Sequence, residues 1–162
     1  MSLTSTVPGA LSALETDLQA VATANPSLDV GVYLGVPIAN VTNNYLAISE
    51  WETGELIVNY RQEWAGLPAN PPRRSEEYGI PVTIRAWAGD SDPQSRIADL
   101  FTLVDGVLGA VQADPQASGA LTSSGSWQAT ELTIPESGPL GGKGFGVVAQ
   151  LIIEITNVRL TS

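Results

Sequence analysis

Carboxylates are the side chains in this chain best suited to chemistry. Glu50, Glu52 and Glu55 crowd one short stretch, and Glu76 and Glu77 are adjacent. Paired carboxylates cleave glycosidic bonds, one as the acid and the other as base or nucleophile. That chemistry needs a shared cleft with aromatic neighbours, for which Trp51 and Trp64 are the nearest candidates. The local pattern favours solvation instead: Glu50–Glu55 surround a turn, and Glu76 and Glu77 begin a strand. Asp90 and Asp92 offer oxygens to a hard cation, but Pro93 follows at once and no run of further ligands completes a calcium loop. They read better as the start of a helix. Gly138-Pro139-Leu140-Gly141-Gly142-Lys143-Gly144 has the texture of a phosphate loop. The pattern requires Gly at position 137, where Ser stands, and Ser or Thr at 144, where Gly stands. The loop also leads into a strand, so no helix N-terminus meets a phosphate. The reading is of no catalytic residue, no metal and no cofactor.

Composition narrows the function classes further. The chain has no His, which removes an imidazole base, the Ser-His-Asp triad and the usual zinc or haem ligand. It has no Cys, which removes thiolate chemistry and disulfides. Seven Lys+Arg against 17 Asp+Glu give a net charge of −10, the wrong sign for a nucleic-acid binder. At 162 residues the expectation is a single domain spanning 1–162. The first eight residues lack the basic and apolar regions of a secretory signal, and no apolar run approaches a membrane span. The chain is therefore expected to be soluble and intracellular when made.

Periodicity supplies the elements that must position these residues. Leu11, Leu14, Leu18 and Val21 mark an amphipathic helix over about 8–24, with Pro8 in its first turn and Asn25-Pro26 as the stop. Leu28, Val30, Val32 and Leu34 alternate as a strand. Residues 44–51 and 55–64 flank the turn Trp51-Glu52-Thr53-Gly54, which predicts a β-hairpin. Residues 65–75 carry Pro68, Pro71 and Pro72 and predict an extended loop. Tyr78, Ile80, Val82, Ile84 and Ala86 alternate in the next strand, where Pro81 predicts a sheet edge or bulge. Asp92 as N-cap and Pro93 open a second helix, carried by Ile97, Leu100, Phe101, Val104, Leu108 and Val111. Gly106 and Gly109 weaken it unless close packing needs them. A strand over 126–134, a loop over 135–144 and a long last strand over 145–160 follow. That last strand is apolar on both faces and so is expected to be central, or covered by a neighbouring subunit. The fold class is α+β: a largely antiparallel β-sheet with two amphipathic helices packed on one face, long loops and a β-hairpin.

Two features suit contact with other chains. Arg73-Arg74 stand out in an acidic chain, and Arg and Trp are enriched in interface hot spots. The candidate subunit or partner interface comprises Trp51, Trp64, Arg73, Arg74, Trp87, Lys143 and Phe145.

The layout resembles the tail terminator proteins of long-tailed bacteriophages, also called minor tail or tail-completion proteins. The segments that carry the resemblance are PGALSALETDLQAV, EYGIPVTIRAWAGD, SRIADLFTLVDGVLGAV and GVVAQLIIEITNVRL, in that order. The resemblance implies a structural virion protein of the phage tail and neck, assembled in the host cytoplasm. It implies a homo-oligomer, a hexameric ring on the last ring of the tail tube, that halts tube polymerisation and offers a surface to the head connector. A closed ring needs a heterologous, head-to-tail interface. An acidic ring lets DNA pass through the lumen without specific binding. The alternatives are another phage neck or head-completion connector subunit, a monomeric acidic binding module built on Trp-rich hairpins, and a small carboxylate-based hydrolase.

Overall fold

The computed structural model describes residues 4–37, 42–64, 73–90, 92–121, 125–139 and 144–161. The elements run α1 (Val7–Ala24), β1 (Val30–Leu34), β2 (Asn44–Ile48), β3 (Val58–Trp64), β4 (Arg73–Ala88), α2 (Pro93–Ala113), β5 (Ser126–Gly138) and β6 (Phe145–Thr161). They form a six-stranded sheet in the order β1-β2-β4-β6-β5, with β3 also paired to β4. Every pairing is antiparallel except β1 with β2. The α+β class expected from the pattern is what the chain adopts.

The helices begin and end where their side chains dictate. Asp92 Oδ1 accepts a hydrogen bond from the Ser95 N–H at 3.2 Å, capping α2, and Pro93 occupies its first turn. Asn25 Nδ2 donates to the Val21 carbonyl at 2.9 Å, closing the end of α1 before Pro26. Both helices pack on one face of the sheet. Leu14, Leu18 and Val21 of α1 and Leu100, Leu103, Val104, Val107 and Val111 of α2 meet alternate residues of β4 (Tyr78, Ile80, Val82, Ile84, Ala86) and β6 (Val147, Ala149, Leu151, Ile153, Ile155). β6 is central, between β4 and β5, as its two apolar faces require.

Gly106 has the packing reason that its place in a helix demanded. A β-carbon there would lie 2.9 Å from Val21 Cγ1 on α1, whereas one at Gly109 would meet open space. Gly106→Leu is therefore expected to destabilise by about 1–3 kcal/mol through overpacking. Gly109→Ala is expected to stabilise by up to about 1 kcal/mol. Urea denaturation of the two variants checks both signs.

Four local expectations are corrected. The β-hairpin of β2 and β3 does not form: both strands run antiparallel to β4, β2 against residues 82–85 and β3 against residues 74–79. β4 is 16 residues long, so two short strands lie end to end along one of its edges. Pro81 stands in a central strand, not at a sheet margin, though the expected bulge does occur at this end of β4, where the register shifts between Glu76 and Tyr78. The missing donor of Pro81 is tolerated because the β2/β3 edge has no partner for residues 80 and 81. The predicted loops are shorter than expected: residues 73–75 belong to β4 and residues 135–138 to β5. Pro135 is accommodated because β5 is an edge strand whose register shifts between Thr133 and Glu136. Residues 65–72 and 140–143 lie outside the described residues. The first strand also starts late, since Pro26–Leu28 form a 3-10 turn.

Candidate interaction surface

The face of the sheet opposite the helices carries the polar chemistry. On β4 the alternation that sends Ile80, Val82 and Ile84 to the core sends Glu77, Gly79, Pro81, Thr83, Arg85 and Trp87 to this bare face. Across it run the register rows Gln128–Glu154–Gly79–Val58 and Glu131–Ile152–Pro81.

The segment between β2 and β3 closes one side of this face. Thr83 Oγ1 donates to the Ser49 carbonyl at 2.8 Å, and the Trp51 N–H donates to Gln150 Oε1 at 3.2 Å. Glu50 organises the turn: its N–H donates to the Glu55 carbonyl at 2.8 Å, and its carbonyl accepts from the Gly54 N–H at 2.9 Å. Its carboxylate accepts from the Thr53 N–H at 2.6 Å. Hydrogen bonds from Thr53 hold the Glu50 carboxyl below the ordinary carboxylate range. Glu50 is thus a turn-former, as solvated turn carboxylates often are.

The result is an open trough of about 870 Å³. Val58, Gly79 and Ile152 lie on its floor, and Thr130 and Glu131 of β5 stand on the far side. A β-carbon at Gly79 would lie 2.8 Å from Val58 Cγ2 and 3.1 Å from Ile152 Cγ2, so a glycine keeps the floor low. Five carboxylates line the trough (Glu50, Glu55, Glu77, Glu131, Glu154) against one guanidinium, that of Arg61.

The cations collect beside it, at the end of the sheet where β3 finishes and β4 begins. Trp64 pairs with Arg74, Arg74 with Leu160, and Ser75 with Arg159, while Arg73 holds the first position of β4. The Arg74 guanidinium lies 5.6 Å from the centre of the Trp64 ring, a cation–π contact. Trp64 is the most exposed large apolar side chain among the described residues, at 64%. Two other arginines are engaged elsewhere: Arg85 lies over the Tyr45 ring at 5.6 Å, and Arg96 pairs with Asp99 at 2.9 Å on α2.

A buried carboxylate ties this end down. Glu76 is fully buried on the helix side and accepts from the Thr6 N–H at 2.9 Å, Thr6 Oγ1 at 2.9 Å and Tyr60 Oη at 2.8 Å. Burial pushes its pKa up, but hydrogen bonds from Ser5, Thr6 and Tyr60 outweigh burial and leave it below the ordinary value. It also meets the start of α1, where a negative charge is favoured. Glu76 and Glu77 therefore point to opposite faces and share no cleft, which removes one of the two carboxylate clusters the sequence offered.

The predicted interface residues separate accordingly. Trp64, Arg73 and Arg74 come together at the strand ends. Trp51 and Trp87 are half-buried, and the Trp87 N–H donates to Asn44 Oδ1 at 3.0 Å. Phe145 packs partly against the core. Lys143 lies outside the described residues. Arg61, Glu131 and Glu154 were not singled out by sequence. Strand alternation was the only signal that placed them on the polar face.

No protein-family model matches this chain, and none of the curated proteins matches it. Among solved structures, a chain from the "Virion of native gene transfer agent (GTA) particle" matches with 12% identity and a TM-score of 0.40, over 93% of each chain. That likeness is too distant to carry an assignment, and none is drawn from it. Among the described residues no helix is long and apolar enough to cross a membrane, and no cluster of three or more metal-ligating side chains occurs.

Proposed function

We propose that this chain is a structural virion protein that forms a ring at the head-proximal end of a phage-type tail tube. There it stops tube polymerisation and joins the tail to the head connector. The resemblance in its element-bearing segments suggests the role. The observation that carries it further is that both outer strands of the sheet carry exposed apolar side chains: Leu34 at 54% ends β1, and Leu132 at 42% and Ile134 at 47% lie on β5. Open edges dressed with apolar side chains suit a protein that works against other chains. On this reading the partners are further copies of the chain, the tail tube protein and the connector. DNA passes through an acidic lumen that repels it. Assembly takes place in the host cytoplasm, and the product is part of the virion.

The role is structural, not catalytic. Glu50, at the rim of the trough, is held in its charged form by Thr53, the opposite of what a general acid needs.

Electron microscopy and native mass measurement, made on the same samples over a wide concentration range, test the proposal. Rings with a central hole and six times the subunit mass are expected. A strict monomer up to millimolar concentration overturns the ring and leaves the monomeric binding module as the reading.

A further inference from the structure

We infer that the Trp64–Arg74 end of the sheet in one copy seats in the acidic trough on the bare sheet face of a second copy. The two surfaces then join the chain head to tail. This deepens the ring reading and rests on it for its biological setting.

Charge selects the occupant. The trough presents five carboxylates against one guanidinium. At the ends of β3, β4 and β6, Arg74 stands with Trp64 on the helix side of the sheet and Arg159, paired with Ser75, on the trough side, with Glu63, Glu76 and Glu77 in the same strand ends. The Arg74 guanidinium, held against the exposed Trp64 ring, is the cation that would meet the trough's carboxylates.

Shape agrees with charge. The exposed indole of Trp64, with Arg74 stacked on it, is the aromatic–guanidinium pairing found at interface anchors. The trough has an apolar floor of Val58 and Ile152 for the ring and acidic walls for the guanidinium. At about 870 Å³ it has room for both.

Geometry makes the contact intermolecular. Trp64 pairs with Arg74, two positions along β4 from the buried Glu76, and so lies on the helix side of the sheet. The trough opens on the other side, so the tip of a chain does not reach its own trough. Donor and acceptor are different surfaces, which gives a heterologous contact that either closes into a ring or propagates.

The absence of native Cys makes the test clean. A chain carrying Glu63→Cys, next to the indole, and Glu154→Cys, treated with a short bis-maleimide, is expected to give a covalent ladder beyond the dimer. Each single-Cys chain alone gives none. In parallel, Arg74→Glu and Glu131→Arg are each expected to weaken self-association at least about tenfold at low salt. The chain carrying both is expected to recover most of that loss. Rings that form normally with no ladder and no response to the swaps overturn the inference and leave the ring reading standing. A ladder and a charge rescue on open chains, without closed rings, support the inference and overturn the ring. A monomer with no ladder overturns both.

Discussion

Glu76→Ala is expected to lower the stability of the fold by about 3 kcal/mol, as two buried donors lose their acceptor. The Thr6 N–H and hydroxyl both donate to Glu76 Oε2, and Thr6 itself is 8% exposed, so water does not replace the carboxylate there. At this chain length about 3 kcal/mol corresponds to a fall in Tm of roughly 6–12 °C. Glu76→Gln does not rescue it fully. Oε1 accepts from Tyr60 and Oε2 from Thr6, so whichever way the amide turns, its NH₂ faces a donor. The pH dependence follows from the sign of the shift. The folded pKa lies below the ordinary value of 4.5, so the stabilisation is fully present above that value and is lost as pH falls through the folded pKa. Denaturation followed between about pH 6 and pH 3 should therefore show a steeper acid loss in the natural chain than in Glu76→Gln. Equal slopes would show that folding does not lower the Glu76 pKa, and a loss of stability with rising pH would show that it raises it.

How far the sequence reached can be judged at particular residues. The alternation of Tyr78, Ile80, Val82, Ile84 and Ala86 marked the core side of β4, because a period of two requires it. Asp92-Pro93 marked the start of α2, because a cap acts locally. The same period of two implies that the neighbours Glu76 and Glu77 face opposite ways, one buried and one in the trough. Pairing was less legible. Nothing local says that β3 prefers β4 to β2, because that choice depends on the length of a strand that comes later in the chain. The parallel join of β1 to β2 is likewise a tertiary outcome. The trough was the least legible feature. Its carboxylates come from β4, β5, β6 and the turn after β2, and each alone reads as a solvated side chain. Trp64 and Arg74 were visible as unusual residues, but their stacking depends on the β3–β4 register.

Trp127→Ala is expected to cost about 3–5 kcal/mol, the range for truncating a large aromatic in a packed core. Trp127 is 3% exposed at the second position of β5, and it fastens that strand to the end of α2 twice over. Its backbone N–H donates to the Pro115 carbonyl at 3.1 Å, and its indole N–H donates to the Asp114 carbonyl. Removing the ring takes one of two donors from the Asp114 carbonyl, which keeps the Ala117 N–H at 3.1 Å, and enlarges the 230 Å³ cavity already bounded by Leu108, Val111 and Ala129. Trp127→Phe keeps most of the volume and loses the hydrogen bond, so it is expected to cost about 1–2 kcal/mol; urea denaturation of the two variants separates packing from hydrogen bonding. β5 bears Thr130 and Glu131, the far side of the trough, and has α2 on one side and only β6 as a strand partner. Glu76 holds β3 in the corresponding way, through Tyr60 and Gln62. The two strands that flank the trough are thus each fixed by one buried polar anchor. Loosening either anchor should weaken head-to-tail association before the global fold is lost, because local opening costs less than complete unfolding. Self-association of Trp127→Phe, measured well below its Tm, should therefore fall even though Trp127 is not part of the trough lining.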